Sequence, residues 1–424
     1  MLTLSVLKEK TNFVVERLNL KNFKNAKERV EEILNIDKLR RETQAKADEL
    51  LAEGNKTAKE IGTMLQKGLK DEAEILKAKT AEVKEQAKLM CDKLLEIEAQ
   101  LEDKLILLPN LPHESIKSGT SAEDNEIVHQ EGIIPELHAD AMPHWDLCAK
   151  YDIVDFELGV KITGAGFPVY KGKGARLQRA LINFFLEEGI NAGYLEIQPP
   201  LMVNQASGYG TGQLPDKDGQ MYYMQIDDLY MIPTAEVPVT NIYRNVILKE
   251  SELPKKNVAY SGCFRREAGS YGKDVRGLNR LHQFDKVEIV RLEKPENSYK
   301  ALDEMVEHVA GLIRSLGLPF RILRLCGGDM SFTSALTYDF EVFSAAQKKW
   351  LEVSSTSNFE SFQANRMKCR YKDADGKTHL VHTLNGSALA LPRIVAALLE
   401  NNQTPEGIIV PEVLRKWTGF DRIN

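Results

Sequence analysis

Cysteine is scarce in this sequence, and no two cysteines have the spacing of a metal site. The 424 residues include five cysteines and eight histidines, and no CxxC, HxH or HExxH pattern occurs. Scattered thiols fit a reducing compartment, and their spacing excludes a disulfide scaffold and the usual zinc motifs. The sequence therefore predicts a protein without zinc.

Long apolar runs are also missing. No stretch of about 18 consecutive apolar residues occurs, so no membrane-spanning helix is expected. The first ten residues, MLTLSVLKEK, lack the apolar core of a secretory signal. We therefore expect a cytoplasmic protein.

Neither sign of charge is in large excess. The formal net charge is −6, so any surface that binds nucleic acid must be local. The length and the 43% hydrophobic content predict two or three domains with a large core.

Proline is absent from residues 27–105, which predict a helical hairpin. Apolar residues recur there with coiled-coil spacing, clearly over 76–101 and more weakly over 30–64. The break at residues 66–72 predicts the tip of the hairpin, with Asp71 as the N-cap of the second helix. Such a hairpin could be an oligomerisation rod, but two helices that close on each other favour a projecting arm.

After two prolines in LLPNLPHESI, the pattern changes to many strands with few helices. This mixture predicts an α+β domain built on an antiparallel sheet. The predicted domains are 1–108, which contains the arm, and 109–424. Helices are predicted at 174–189, 296–316 and 387–400, and strands at 194–203, 229–234, 258–265, 284–292, 320–325, 338–343, 350–355 and 379–387.

Two glycine-rich stretches look like nucleotide-binding loops but lack the required pattern. GFPVYKGKG is one residue too long for a phosphate-binding loop, and Gly174 stands where Ser or Thr would bind magnesium. GYGTGQ does not open a helix after a predicted strand, which argues against a dinucleotide fingerprint.

The segment from Cys263 to Phe284 has the residues needed to activate a carboxylate with ATP. It predicts two strands joined by a basic loop, with Arg265 and Glu267 on one face of the first strand. Phe284 and Glu288 share a face of the returning strand. Arginine pairs bidentately with phosphate or carboxylate oxygens, and an aromatic ring can stack on a base.

Two later segments supply further groups. Glu352 and Ser355 lie on a predicted strand and carry the hard oxygen ligands that magnesium prefers. Arg393 stands at the start of a predicted helix.

The order of these segments resembles that of the three motifs of class II aminoacyl-tRNA synthetases. GARLQRALINFFLEEGINAGYLEIQPPLMV resembles motif 1, FRRE…HQF resembles motif 2, and NGSALALPR resembles motif 3. Ala388 and Pro392 replace glycines of the family around motif 3, and we expect altered packing there because proline is tolerated at a helix start.

Within that class, the whole chain resembles the seryl-tRNA synthetase family. The segments GTGQLP, PTAEV, LEVSSTSN and HTLNGS are similar to segments of that family, and so is the stretch from CFRRE to KVE. The helical hairpin is similar to the family's tRNA-binding arm.

The resemblance implies a function and its partners. The chain would activate L-serine with ATP to seryl-adenylate, with Mg²⁺ as cofactor, and transfer it to the 3′-terminal adenosine of tRNA(Ser). Where the organism has tRNA(Sec), that tRNA would also be a substrate. Motif 1 implies a homodimer.

The resemblance also implies roles for individual residues. Arg266 and Arg276 would meet either the acceptor end of the tRNA or only solvent. The catalytic residues would be Arg265, Arg393 and Glu352, and magnesium would bind Glu352 and Ser355. The serine-binding residues would be Thr234, Ala235, Glu236, Glu288, Asn385 and Ser387. The ATP-binding residues would be Arg265, Arg266, Glu267, Arg280, Leu281, Phe284, Glu352, Val353, Ser354, Ser355 and Arg393.

Three alternative functions compete with this hypothesis. The long arm argues against a homologue that loads an amino acid onto a carrier protein. The combination of Arg265, Glu267, Glu352 and Arg393 argues against a scaffold or RNA-binding protein without catalysis. The TAE segment with Glu288, and the lack of a zinc-binding Cys/His set, argue against a synthetase for threonine or proline.

Overall fold

Two compact units divide the chain in the computed structural model, which describes residues 1–216, 219–267 and 276–424. The first unit comprises Met1–Asn19 and Phe23–Pro109, and the second comprises Leu20–Asn22 and Asn110–Asn424. Most of the predicted basic loop, residues 268–275, lies outside the described residues. In the part of the chain that is described, no helix has the length and apolar character needed to cross a membrane.

The first unit contains the predicted helical hairpin. Its helices α3 and α4 are joined by a short turn at 67–69, so the predicted tip is confirmed. The 41 residues of α3 extend over about 60 Å. The helices of this unit are α1 (Leu4–Glu9), α2 (Thr11–Leu20), α3 (Ala26–Gln66) and α4 (Lys70–Leu105).

The prediction that Asp71 caps the second helix is wrong. Helix α4 begins at Lys70, and Leu69 occupies the N-cap position without a side-chain hydrogen bond. Asp71 instead lies in the first turn of α4. Its carboxylate can still interact favourably with the positive end of the helix dipole.

The seam between α3 and α4 follows the predicted apolar spacing. Val30 and Ile33 of α3 are buried, as are Val83 and Ala87 of α4. Asp37 of α3 is also buried, and it forms an ion pair with Lys8 of α1. Burial by itself would raise the pKa of Asp37, but hydrogen bonds from Lys8 and Arg40 outweigh it and lower the pKa below its ordinary value.

The second unit is built around an eight-stranded sheet, and its elements are as follows. The helices are α5 (His144–Lys150), α6 (Phe156–Ile162), α7 (Gly172–Asn191), α8 (Gln205–Thr211), α9 (Glu236–Asn241), α10 (Ser298–Ser315), α11 (Phe362–Met367), α12 (Leu391–Asn401) and α13 (Arg415–Thr418). The strands are β1 (Glu126–Glu131), β2 (Val154–Asp155), β3 (Val169–Tyr170), β4 (Leu195–Glu196), β5 (Met202–Asn204), β6 (Tyr223–Met224), β7 (Leu229–Met231), β8 (Ile247–Lys249), β9 (Lys255–Phe264), β10 (Gln283–Glu293), β11 (Phe320–Arg324), β12 (Leu336–Ser344), β13 (Lys349–Asn358), β14 (Arg370–Lys372), β15 (Thr378–Leu380), β16 (His382–Ala390), β17 (Gln403–Thr404), β18 (Gly407–Ile409) and β19 (Arg422–Ile423).

The main sheet confirms the predicted α+β class. Its strand order is β1-β11-β12-β13-β16-β10-β9-β4, and all pairs are antiparallel except β4 with β9. Helices α7, α10 and α12 pack on this sheet. Side chains alternate between the two faces of each strand. In β10, Val287 and Ile289 belong to the hydrophobic core, whereas Lys286 and Glu288 line a cavity.

Several boundary predictions are wrong, and two of them concern the segments predicted to form the site. Strand β9 ends at Phe264, so Arg265 and Glu267 do not share a face of that strand. Glu267 has a left-handed backbone with φ +51°, and the Arg266 N–H is bonded to the carbonyl of Gln220 at 2.8 Å. The helix predicted from residue 387 begins at Leu391, because β16 continues its pairing with β10 as far as Ala390.

Glycines in the two stretches that were rejected as nucleotide loops have packing roles. A Cβ on Gly174 would lie 2.1 Å from the carbonyl oxygen of Ile153, so α7 begins in close contact with that backbone. Strand β5 does lead into α8, but Gly208 and Gly210 lie inside this helix and Gly212 ends it with φ +91°. Gly212 therefore ends the helix, and none of the three glycines opens it.

Gly174→Ala is expected to lower the free energy of unfolding by about 3 kcal/mol, because the added methyl group meets backbone that cannot rotate away. Gly172→Ala is the matched control. A Cβ on Gly172 meets open space, so only the left-handed φ of +48° opposes it, at about 1 kcal/mol. Thermal unfolding of both variants measures the difference, and equal losses would contradict this account of Gly174.

Candidate active site

A cavity of about 770 Å³ opens on the face of the main sheet opposite its hydrophobic core. The central strands β10, β13 and β16 form its floor, and the start of α12 and the segments 212–216, 220–221 and 331–333 contribute its walls. The register aligns Glu288 of β10 with Ser387 of β16, and Asn385 of β16 with Ser357 of β13. Because directly paired residues share a face of the sheet, these polar side chains converge in one place.

One end of the cavity is a buried acidic pocket. Glu236 opens α9, and Glu288 lies on β10; both carboxylates are almost fully buried. The Thr234 hydroxyl donates to Glu288 Oε2 at 3.2 Å and accepts from the Glu236 N–H at 3.2 Å. Lys286 forms an ion pair with Glu288. Because the charge of Glu288 is paired within the chain, Glu236 is the carboxylate that can meet a cation from the cavity.

Burial controls the protonation of Glu236. The pKa of Glu236 is raised from 4.5 to about 7, chiefly by burial and then by the nearby charge of Glu288, while the Gln363 and Asn385 side chains and Lys286 oppose the shift. Gln363 Nε2 donates to Glu236 Oε1 at 2.6 Å. Gln363 is itself held by the Thr383 hydroxyl at 2.7 Å. An ammonium group in the pocket would favour the ionised carboxylate.

Arg265 lies between this pocket and an aromatic ring. Its Nε donates to the carbonyl of Pro233 at 3.3 Å, and its guanidinium carbon lies 5.2 Å from the centre of the Phe284 ring. These contacts occupy one nitrogen and one face of the guanidinium group of Arg265. Arg265 is therefore oriented by the protein in the lining of the cavity, and its planar guanidinium can pair bidentately with an anion.

Residues 276–281, which lead into β10, carry a second arginine of the site. Arg280 forms an ion pair with Glu267, and both side chains line the cavity. Asn279 and Leu281 line it as well. The ion pair joins the two sides of the hairpin beyond the end of β9.

Arg393 lies in the first turn of α12, as predicted. Its Nε donates to the carbonyl of Asn279 at 2.9 Å, and its Nη1 donates to the carbonyl of Glu352 at 2.7 Å. The Glu352 carboxylate lies 3.8 Å from the same Nη1. Two backbone oxygens thus fix the guanidinium over the cavity while leaving the Glu352 carboxylate half exposed.

The residues predicted to bind magnesium provide two oxygen donors. Glu352 and Ser355 lie on β13 and both line the cavity, and Asp339 pairs with Ser355 from β12. Burial and the charge of Glu352 raise the pKa of Asp339 well above its ordinary value. Within residues 1–216, 219–267 and 276–424, no three His, Cys, Asp or Glu side chains form a metal-binding group. Two oxygens still fit Mg²⁺, which keeps several waters and takes phosphate oxygens from its substrate.

The structure brings nearly all predicted site residues to this one cavity. Of the described residues, Ala235 and Arg266 do not line it: Ala235 is fully buried and Arg266 is exposed. Arg276 stacks on Trp145, with its guanidinium carbon 4.6 Å from the ring centre. The predicted residues that line the cavity are Thr234, Glu236, Arg265, Glu267, Arg280, Leu281, Phe284, Glu288, Glu352, Val353, Ser354, Ser355, Asn385, Ser387 and Arg393.

Sequence reasoning missed several residues that line or support the site, and three of them show why. Lys286 shares a strand face with Phe284 and Glu288, so the period of two in "FDKVE" could have identified it. Asn279 acts through its backbone carbonyl, which any residue type would supply. Gln363 contacts Glu236 across a sequence separation of 127 residues, and no local pattern indicates that contact.

Two family profiles match the chain. Residues 1–112 match the seryl-tRNA synthetase N-terminal domain. Residues 222–402 match the tRNA synthetase class II core domain (G, H, P, S and T).

Individual relatives match over nearly the whole chain. Serine–tRNA ligase of Salinibacter ruber is 50% identical over 425 residues, covering 100% of this chain and 99% of the relative. The seryl-tRNA synthetase of Pyrococcus horikoshii, solved in complex with ATP, has a TM-score of 0.93 and 32% identity, covering 100% of this chain and 99% of that one. The cytoplasmic serine–tRNA ligase of Naegleria fowleri, solved in complex with AMP, has a TM-score of 0.86 and 25% identity, covering 98% and 96%.

Glu236→Gln is expected to stabilise the protein at pH 8 but not at pH 4. The folded state binds more protons than the unfolded state between pH 4.5 and about 7, because the pKa of Glu236 is raised on folding. The contribution of Glu236 to the free energy of unfolding therefore falls as the pH rises through that window, by on the order of 3 kcal/mol. Denaturant unfolding at both pH values tests this, with the exposed Glu196→Gln as control. If Glu236→Gln raised the free energy of unfolding equally at both pH values, burial of an ionised Glu236 carboxylate could not be the cause.

Proposed function

The chain belongs to the seryl-tRNA synthetase family, and from that premise we propose how its residues divide the work of the reaction. The protein activates serine with ATP and charges tRNA with the product. The observation that supports our assignment is the convergence of an acidic pocket and three arginines in one cavity. An amino acid needs an anion for its ammonium group and a cation for its carboxylate, and ATP needs cations for its phosphates.

We assign serine to the acidic pocket. Its ammonium group would pair with Glu236, and Thr234 would orient it. Its hydroxyl group would bond to Glu288, Asn385 and Ser387, which lie together on β10 and β16. A pocket whose buried polar groups pair with a hydroxyl rejects alanine and glycine by up to about 10⁴-fold, since those groups would be left unmatched.

We assign ATP to the region between Arg265 and Arg393. Arg265 would hold the serine carboxylate and then the α-phosphate, because it lies between the acidic pocket and Phe284. The adenine ring would lie between Phe284 and Arg393, and Glu267 would accept a hydrogen bond from its amino group. Arg280 would bind the β- and γ-phosphates. The serine carboxylate then attacks the α-phosphorus in line, and pyrophosphate leaves.

Mg²⁺ would bind Glu352 and Ser355, where it would neutralise charge on the phosphates. The chain's own part in the step is positioning. Arg265 and Arg393 are already oriented by backbone carbonyls, so little reorganisation is needed when negative charge develops. The terminal adenosine 3′-hydroxyl of tRNA then attacks the activated carbonyl.

The tRNA partners and the assembly are part of the same proposal. Residues 1–108 would form the tRNA-binding domain, and the hairpin of α3 and α4 would contact the long variable arm of tRNA(Ser). By extension it would serve tRNA(Sec) where the organism has one. The motif 1 segment, which includes α7, would form the interface of a homodimer. The protein would act in the cytoplasm.

Arg265→Ala is expected to lower serine-dependent ATP–pyrophosphate exchange by about 100- to 1,000-fold, because a preoriented charge at the reacting phosphate is lost. The neighbouring Arg266→Ala is the matched control and should change the rate by less than about threefold, since its side chain is exposed and does not line the cavity. Exchange with serine, threonine, alanine, cysteine and glycine gives the specificity.

Deletion of residues 30–100 separates the two halves of the proposal. This deletion should leave exchange intact and abolish tRNA charging. Exchange with no amino acid in the wild-type protein would favour a scaffold without catalysis. Strong exchange with an amino acid other than serine would contradict the assignment of the pocket.

Glu352→Gln is expected to raise the Mg²⁺ concentration for half-maximal exchange by about tenfold or more, because an anionic ligand becomes neutral. The bond from Arg393 to the Glu352 carbonyl should survive, since it uses the backbone. Glu341→Gln is the control: Glu341 pairs with Glu352 in the sheet register but forms an ion pair with Arg321. Equal Mg²⁺ dependence in both variants would exclude Glu352 as a ligand.

A further inference from the structure

His144 and Glu400 form a buried pair outside the cavity, and both side chains are fully buried. His144 begins α5, and Glu400 lies near the end of α12. The ring Nδ1 of His144 lies 2.8 Å from Oε1 of Glu400. The backbone N–H of His144 donates to the same oxygen at 2.9 Å. Burying a carboxylate and an imidazole is costly unless each polar atom has a partner.

The carboxylate of Glu400 is ionised and accepts several hydrogen bonds. The Ser344 hydroxyl and the Gln347 side chain also donate to it, the latter at 2.8 Å. Burial by itself would raise the pKa of Glu400, but hydrogen bonds from His144 and Ser344 outweigh it and lower the pKa. A carboxylate surrounded by donors holds its partners in fixed positions.

The other nitrogen of His144 holds the backbone of the ATP site. The Leu278 N–H donates to His144 Nε2 at 2.9 Å, so Nε2 carries no proton and Nδ1 carries the ring proton. That proton points to Glu400, which thereby fixes the tautomer that Leu278 requires. The pair thus acts as carboxylate–histidine pairs do elsewhere, where one nitrogen is oriented by the bond the other makes.

Leu278 belongs to the segment 276–281, whose residues Leu278, Asn279, Arg280 and Leu281 line the cavity. The same buried cluster holds this segment at a second point, because Asn279 Nδ2 donates to Gln347 Oε1 at 2.9 Å. Arg393 supplies a third point through the Asn279 carbonyl. Arg393 and Glu400 are seven residues apart on α12, so both anchors come from one side of that helix.

Gly277 fits the same arrangement. Its φ is +66°, and a Cβ there would lie 2.2 Å from His144 Nε2. The backbone therefore approaches the imidazole as closely as a residue without a side chain allows.

We propose that His144, oriented by Glu400, is a positioning residue that sets the segment 276–281 for ATP binding. This inference rests on the ATP site proposed above. The residues assigned to the serine pocket lie at the start of α9 and on β10 and β16, whereas the hydrogen bonds of His144 and Glu400 described above go to Leu278, Ser344 and Gln347. Loss of the pair should therefore weaken ATP binding selectively.

The test compares two replacements of His144 in the full-length protein. In His144→Asn the amide can replace Nδ1 and reach Glu400, but it is too short to accept from Leu278. In His144→Gln the side-chain oxygen can replace Nε2 and accept from Leu278. We expect His144→Asn to raise the KM for ATP about tenfold, equivalent to about 1.4 kcal/mol, with the KM for serine unchanged. His144→Gln should restore most of the ATP affinity.

The control is His308→Gln, on α10, where the ring packs against Tyr194 and does not line the cavity. Calorimetric titration of each variant with ATP alone provides a readout that needs no catalysis, and thermal unfolding reports folding. Equal increases in the KM values for ATP and serine, or equal ATP affinity in the Asn and Gln variants, would overturn the positioning role. Absence of serine-dependent exchange in the wild-type protein, with ATP affinity still lowered by His144→Asn, would overturn the proposed function and support the positioning role.

Discussion

The alternation of side chains along antiparallel strands is the constraint on which the rest of this structure depends. Each of β10, β13 and β16 must supply apolar groups to the helices on one face and polar groups to the cavity on the other. A shift of register by one residue would exchange the two sets and bury Glu288 in the core. The long ladder between β9 and β10 therefore fixes which side chains lie on each face of the sheet. The cavity uses part of the face opposite the larger core, and Val290 and Leu292 on that same face of β10 pack in a second hydrophobic cluster.

Much of the site could be predicted because its residues follow local rules. Phe284 and Glu288 share a strand face by a period of two, and Arg393 falls in the first turn of a predicted helix, although that helix begins at Leu391 and not at residue 387. The coiled-coil spacing over 76–101 likewise predicted the hairpin. In each case the side-chain position follows from residues that are close together in the sequence.

The rest depended on contacts between distant parts of the chain. Glu236 is held by Gln363, and His144 by Glu400, across 127 and 256 residues. Glu267 has a positive φ although the FRRE segment looks like a continuous strand, because the chain leaves the sheet after Phe264. Asp71 looked like a cap, but α4 begins one residue before it. Propensity describes the isolated segment, whereas tertiary hydrogen bonds decide where a segment ends.

Asp37 has a consequence for the N-terminal helix α1. Apolar contacts alone would tolerate sliding of α1 along α3, since one apolar turn resembles the next. The ion-pair partners of Asp37 are Lys8 of α1 and Arg40 and Arg41 of α3 itself. Sliding of α1 would separate the buried carboxylate from Lys8, which is unfavourable for a buried charge. Asp37 therefore fixes where α1 lies along the length of α3.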